Sequence, residues 1–115
     1  MSVVIRTLVF ALALPGVALA DTGVRCEGKL PNWSVVVEGE SAQMRFRDVD
    51  IEMSIPHRTE ALNDAGVRAY TLIGQTDTAI LIVTPGRCNL SDLSAHLLTQ
   101  ENTTPVLLTG CCTRP

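Results

Sequence analysis

Aromatic side chains are scarce in this 115-residue chain, at 3% of the sequence, and there are only two histidines. With Phe10 set aside as part of an apolar N-terminal segment, Trp33, Phe46 and Tyr70 are the whole aromatic inventory. A core therefore has to be assembled from Val, Ile and Leu. Basic residues are short as well: nine Lys and Arg stand against twelve Asp and Glu, for a formal net charge of −3. There is no basic stripe to follow a nucleic-acid backbone and no polybasic cluster for an anionic membrane surface. His57 and His96 lack a His-Glu-x-x-His or His-x-x-His setting, and no Gly-x-Ser-x-Gly elbow occurs, so the common zinc-enzyme and hydrolase signatures are missing. Gly/Ser-rich linkers, repeats and low-complexity tracts are absent too, which leaves nothing to divide the chain into two domains.

The one long apolar run is at the N-terminus. Arg6 is followed by Leu8 to Leu14, broken by Pro15-Gly16, and then by the small-x-small triplet Ala18-Leu19-Ala20. That order has the form of a cleavable secretory signal over residues 1–20, with the cut between Ala20 and Asp21. Arg6, Pro15 and Gly16 interrupt it too often for the roughly 20 apolar residues of a membrane span. Asp21, not a cysteine, follows the triplet, which argues against lipoprotein processing. Removal of Arg6 leaves eight Lys and Arg against twelve Asp and Glu, a net of −4. The expected product is one soluble, periplasmic, monomeric β domain over 21–115, with no stable insertion in the membrane.

Four cysteines, Cys26, Cys88, Cys111 and Cys112, all lie beyond the cleavage point. In an oxidising compartment they are expected to pair, because a domain this small gains much of its stability from cross-links. Zinc sites made of four cysteines come as two spaced pairs, whereas here one pair is contiguous and the others isolated. Three connectivities exist. A Cys111–Cys112 bridge would strain a ring between neighbours whose side chains leave a strand on opposite faces. Of the two that remain, Cys26–Cys112 with Cys88–Cys111 is preferred, and the exchanged pairing stays open. A Cys88/His96 nucleophile would need a free thiol.

Alternation of apolar and polar residues predicts strands. Trp33, Val35 and Val37 share one face up to a turn at Gly39-Glu40, and Met44 and Phe46 continue on one parity. Val49, Ile51, Met53 and Ile55 take the other parity, and a β-bulge or bend at Arg47-Asp48 is the expected cause. Pro56 is expected to end this stretch, followed by a polar segment with one helical turn around Glu60-Ala61-Leu62. Strands return at Val67 to Ile73 and Ala79 to Val83, joined by Gly74–Asp77, with Pro85-Gly86 as terminator. Ser91 to Leu98 reads as a short helix with Leu93, Leu97 and Leu98 inward, and Val106 to Thr109 as a last strand. The fold class is thus mostly β, a small antiparallel barrel or sandwich stapled by two disulfides, with at most one or two short helices.

Cys26-Glu-Gly28-Lys-Leu-Pro31-Asn-Trp33-Ser34 resembles a Cys-x-Gly-x-x-Pro-x-Trp-Ser motif found in a family of small, largely uncharacterised exported bacterial proteins. Pro85-Gly86-Arg87-Cys88, Ser91-Asp92 and Gly110-Cys111-Cys112 are similar to that family's other landmarks, and together they span nearly the whole mature chain. Asn32 stands where the family has an aromatic residue, and Ala95-His96-Leu97 where it has Tyr-Pro. The resemblance implies compartment and fold, and no activity.

Ala65-Gly66-Val67-Arg68-Ala69-Tyr70 is also weakly similar to the inhibitory loop of periplasmic inhibitors of C-type lysozyme, although the paired serines are missing and an extra residue separates Arg68 from Tyr70. Ordinary strand alternation would instead put Arg68 and Tyr70 on a solvent face. Trp33 is expected in the core, with a ligand-stacking platform as the alternative. Asp48, Asp50 and Glu52 alternate as a solvated strand face without the glycine turn of a calcium loop. Sequons at Asn32, Asn89 and Asn102 carry meaning only in a eukaryotic secretory pathway. We therefore expect a non-enzymatic binding or envelope-accessory protein with no cofactor and no metal. Its partner would be a protein or envelope ligand, with Trp33, Arg68 and Tyr70 as candidate binding residues and inhibition of C-type lysozyme as the alternative function.

Overall fold

A computed structural model describes residues 23–114. They form eight strands: β1 (Val24–Gly28), β2 (Trp33–Glu38), β3 (Ser41–Phe46), β4 (Val49–Glu60), β5 (Arg68–Ile73), β6 (Thr78–Cys88), β7 (Ser91–Glu101) and β8 (Thr104–Thr113). The expected export signal and its cleavage point lie outside the described residues. Each strand pairs antiparallel with the next and β8 returns to β1, closing an up-and-down barrel. No helix occurs among the described residues. Closure leaves no strand unpaired along the whole of one side, as the outer strands of an open sheet would be.

All eight strands contribute to the interior, which is a packed core. Val35, Val37, Met44, Leu72, Leu81 and Leu97 are its largest fully shielded aliphatic side chains. An eight-stranded barrel is just wide enough for side chains to fill. Thr99 is the buried polar side chain among the described residues, and its hydroxyl donates to the Thr78 carbonyl at 3.0 Å.

The seam that closes the barrel is its shortest ladder. β1 meets β8 through three residue pairs, Arg25 with Thr113, Cys26 with Cys112 and Glu27 with Cys111, whereas β7 and β8 share nine. The Cys26–Cys112 disulfide bridges this seam from inside, its Cα atoms 4.0 Å apart and both residues fully buried. Because successive side chains leave a strand on opposite faces, Cys111 points outward, where it bonds Cys88 at the end of β6. The preferred pairing is the one formed. Two disulfides of this kind fit a chain that lives in an oxidising, extracytoplasmic compartment.

Several local expectations are corrected. Arg47-Asp48 is a tight two-residue hairpin turn between β3 and β4, not a bulge: both residues take left-handed backbone angles (φ 50° and 68°), as a type I′ turn requires. The change of parity there is that of a hairpin whose flanking residues, Phe46 and Val49, face each other. Asn89 and Asn102 also hold positive φ, at the β6–β7 and β7–β8 turns, so two of the three sequons are turn asparagines.

Neither proline ends its strand. β4 passes through Pro56 and β6 through Pro85, each where the pairing register shifts, between Ser54 and His57 and between Pro85 and Cys88. A bulge is a place where the missing N–H of proline breaks no ladder bond. The helical turn expected at Glu60–Leu62 is absent: Glu60 ends β4 and a loop follows. The helix expected over Ser91–Leu98 is strand β7. Its Leu93, Ala95, Leu97 and Thr99 point inward at the two-residue period, and ladders to both β6 and β8 outweigh the helical spacing of its leucines.

Candidate functional site

Trp33 and Tyr70, two of the three candidate binding residues, lie inside the barrel at 3% and 2% exposure, while Arg68 is exposed. Trp33 sits where chemistry and packing both demand it. Its indole Nε1 donates to the Thr109 carbonyl at 3.1 Å, spanning from β2 to β8 across the closing seam. The ring lies over Gly28 and Gly110: a Cβ at Gly28 would overlap Nε1, and one at Gly110 would meet Cζ2 at 2.8 Å. Those two glycines, each two residues from a member of the Cys26–Cys112 bridge, clear the space the indole occupies. The Cys-x-Gly, Trp and Gly-Cys-Cys elements of the sequence are thus one packing unit.

Tyr70 was expected on a solvent face and is instead buried. Tyr70 and Leu72 point inward on β5, and Arg68 shares their parity at the strand's start, where the barrel opens. Across the ladder Tyr70 faces Arg58 and Arg68 faces Glu60. The register shift at Pro56 turns Arg58 and Glu60 to the inner face, although Met53 and Ile55 before it already occupy that face at odd positions. Without the bulge the charged pair would point to the barrel's outside.

The result is a charged rim over an aromatic floor. The Arg58 guanidinium lies 5.9 Å from the Tyr70 ring centroid and its Nη2 donates to the Gly39 carbonyl in the β2–β3 turn. Arg68 Nε is 3.9 Å from Glu60 Oε2, both side chains about half exposed. Together with Thr59 they line a shallow depression of about 200 Å³ at the mouth. Stacking on a ring and hydrogen bonding to backbone hold Arg58 in place, and planar guanidinium groups so held suit a carboxylate or other planar oxyanion. Sequence alternation brought Arg68 and Tyr70 together but missed Arg58 and Glu60, because the bulge that aligns them is a matter of pairing. Pro56 inside an otherwise alternating run was the available signal.

The remaining candidates separate. His96 lies on the outer face of β7 opposite Ile82 and Thr109, and His57 is exposed on β4. Cys88 is bonded to Cys111, and no free cysteine occurs among the described residues. Asp48, Asp50 and Glu52 are exposed, and Arg45 Nη1 donates to Asp50 at 3.1 Å while its Nη2 is 3.7 Å from Asp48. No group of three His, Cys, Asp or Glu side chains converges among the described residues. No helix there is long and apolar enough to cross a membrane. Compared with family models, curated proteins and solved structures, the chain has no match.

Proposed function

We propose that this chain is a small periplasmic binding or envelope-accessory protein that performs no catalysis and engages an anionic group of its partner at the barrel mouth. The observation that carries this is the rim itself: Arg58, fixed on the Tyr70 ring and the Gly39 carbonyl, stands beside Arg68 over a shallow depression. A cation held in advance loses little conformational freedom on binding, which favours recognition. The bonded cysteines leave no thiolate for nucleophilic chemistry.

Inhibition of a C-type lysozyme is the second reading, favoured by one observation. The segment Ala65–Tyr70, similar to an inhibitory loop, leads into this rim and presents Arg68 there. Such an enzyme works with paired carboxylates in its cleft, which an arginine from a compact rim suits. One experiment addresses both. The oxidised protein is added to lysozyme acting on a peptidoglycan suspension, and in parallel is used to capture partners from periplasmic extract, each beside Arg68→Ala. Slowed lysis that Arg68→Ala relieves at least tenfold supports inhibition. A captured partner lost with Arg68→Ala, and no effect on lysis, supports the broader reading. Lysis and capture both indifferent to Arg68→Ala would refute the rim as the binding site.

A further inference from the structure

At the opposite end of the barrel the first half of β4 has a neighbouring strand on only one side, as β8 does over residues 104–110. β4 pairs with β3 along Val49–Ser54, but its ladder to β5 begins only at Ser54, opposite Ile73. Beyond Ile73 the chain turns away, with Gly74 N–H donating to the Asp77 carbonyl at 2.8 Å. Val49 to Met53 therefore have no partner strand on the β5 side.

The hairpin at Arg47-Asp48 decides which backbone groups this leaves over. In a two-residue hairpin the flanking residues, here Phe46 and Val49, exchange both hydrogen bonds, so Val49, Ile51 and Met53 direct their N–H and C=O groups to β3. Asp50 and Glu52 direct theirs the other way. In keeping with this, the Glu52 carbonyl oxygen points toward the β5–β6 turn, 3.3 Å from where a Cβ on Gly74 would be. Among the described residues, no backbone group donates to or accepts from Asp50 or Glu52 on that side.

This edge borders a depression of about 880 Å³ between β4 and the Gly74–Asp77 turn. Its walls combine apolar and acidic groups. Val49 and Ile73 are 59% and 42% exposed, and Asp50, Glu52 and Asp77 also line it. A strand laid along β4 would place alternate side chains beside the outward carboxylates of Asp50 and Glu52, and the intervening ones against Val49 and Ile51.

We propose that the free edge of β4 at Asp50–Glu52 accepts an extended peptide of alternating basic and apolar residues as an added strand. Backbone bonds to Asp50 and Glu52 supply the docking, and the Glu52 carboxylate, beside an Asp50 carboxylate shared with Arg45, selects lysine or arginine. A second copy of this chain does not fit, since an antiparallel β4–β4 pair would set Asp50 and Glu52 against their own kind. This surface is separate from the Arg58–Arg68 rim and does not depend on what the rim binds.

The test uses the oxidised, 15N-labelled protein and a blocked peptide, Lys-Val-Lys-Ile-Lys, with Glu-Val-Glu-Ile-Glu as control. The expected result is that the Asp50 and Glu52 amides exchange fast in the free protein and slow at least tenfold at saturating basic peptide. The acidic peptide leaves them unchanged. Asp50→Lys combined with Glu52→Lys should weaken the basic peptide at least tenfold, with exchange in β6–β8 unaltered as the sign of an intact barrel. No protection at millimolar peptide would overturn the proposal. So would equal binding to the double variant, amides already protected in the free protein, or a concentration-dependent dimer that protects them.

Discussion

Removing the Cys26–Cys112 bridge should cost more stability than removing Cys88–Cys111. The first links residues 86 apart in sequence and the second residues 23 apart. The chain-entropy relation assigns about 4.6 kcal/mol to the longer closure and about 3.4 kcal/mol to the shorter. Packing widens the gap. Cys26 and Cys112 are buried at 0% and 1% exposure, so alanines there leave a void costing on the order of 1 kcal/mol, whereas Cys111 lies on the outer face. The seam aggravates the loss, since only three residue pairs hold β1 to β8 once the covalent link is gone.

A total near 5 to 6 kcal/mol, by those estimates, is comparable with the whole stability of many small domains. Urea unfolding followed by far-UV circular dichroism, on the oxidised protein and on the Cys26→Ala/Cys112→Ala and Cys88→Ala/Cys111→Ala variants, measures it. In thermal melts followed by the same signal, the first variant should unfold roughly 20 °C or more below the parent, and the second less far below. If the outer bridge proves the costlier, or the inner one is worth less than about 2 kcal/mol, the buried closure of the seam is not what the bridge contributes.

Gly110→Ala should destabilise by on the order of 3 kcal/mol, because the added methyl would overlap the Glu27 carbonyl and press on the Trp33 ring. A loss below about 1 kcal/mol in the same urea titration would mean that the indole is not seated over that glycine. Asp48→Gly should be neutral or stabilise by about 0.5 kcal/mol, since φ 68° suits glycine and the Arg45–Asp48 ion pair, at 3.7 Å with Asp48 largely exposed, contributes little. Clear destabilisation in thermal melting would show that Arg47-Asp48 does not hold the left-handed turn.

Where one side chain and its near neighbours carry the information, the sequence was legible. Trp33, Val35 and Val37 alternate and are buried, and the turn at Gly39-Glu40 and the Gly74–Asp77 connection fall where turn residues place them. Ser91–Leu98 misled because Leu93 and Leu97 satisfy a helical spacing and a two-residue period alike, and only ladders on both sides decide between them. Arg47-Asp48 misled because neither residue is glycine, yet both take the left-handed angles. At the candidate site Arg68 was visible, whereas Arg58 reached it only through the register shift at Pro56.

Composition and local order were enough to establish a β chain whose four cysteines staple it and whose adjacent Cys111 and Cys112 serve different bonds. Alternation along a strand forces that last point, because neighbours cannot share a face. Barrel closure was another matter. That Cys26 faces Cys112 across the three-pair seam, that Gly28 and Gly110 clear a seat for Trp33 beside it, and that Arg58 turns inward over Tyr70 all depend on register between distant strands. Register is set by the mutual fit of eight strands around one filled interior, and no local stretch of sequence contains that fit.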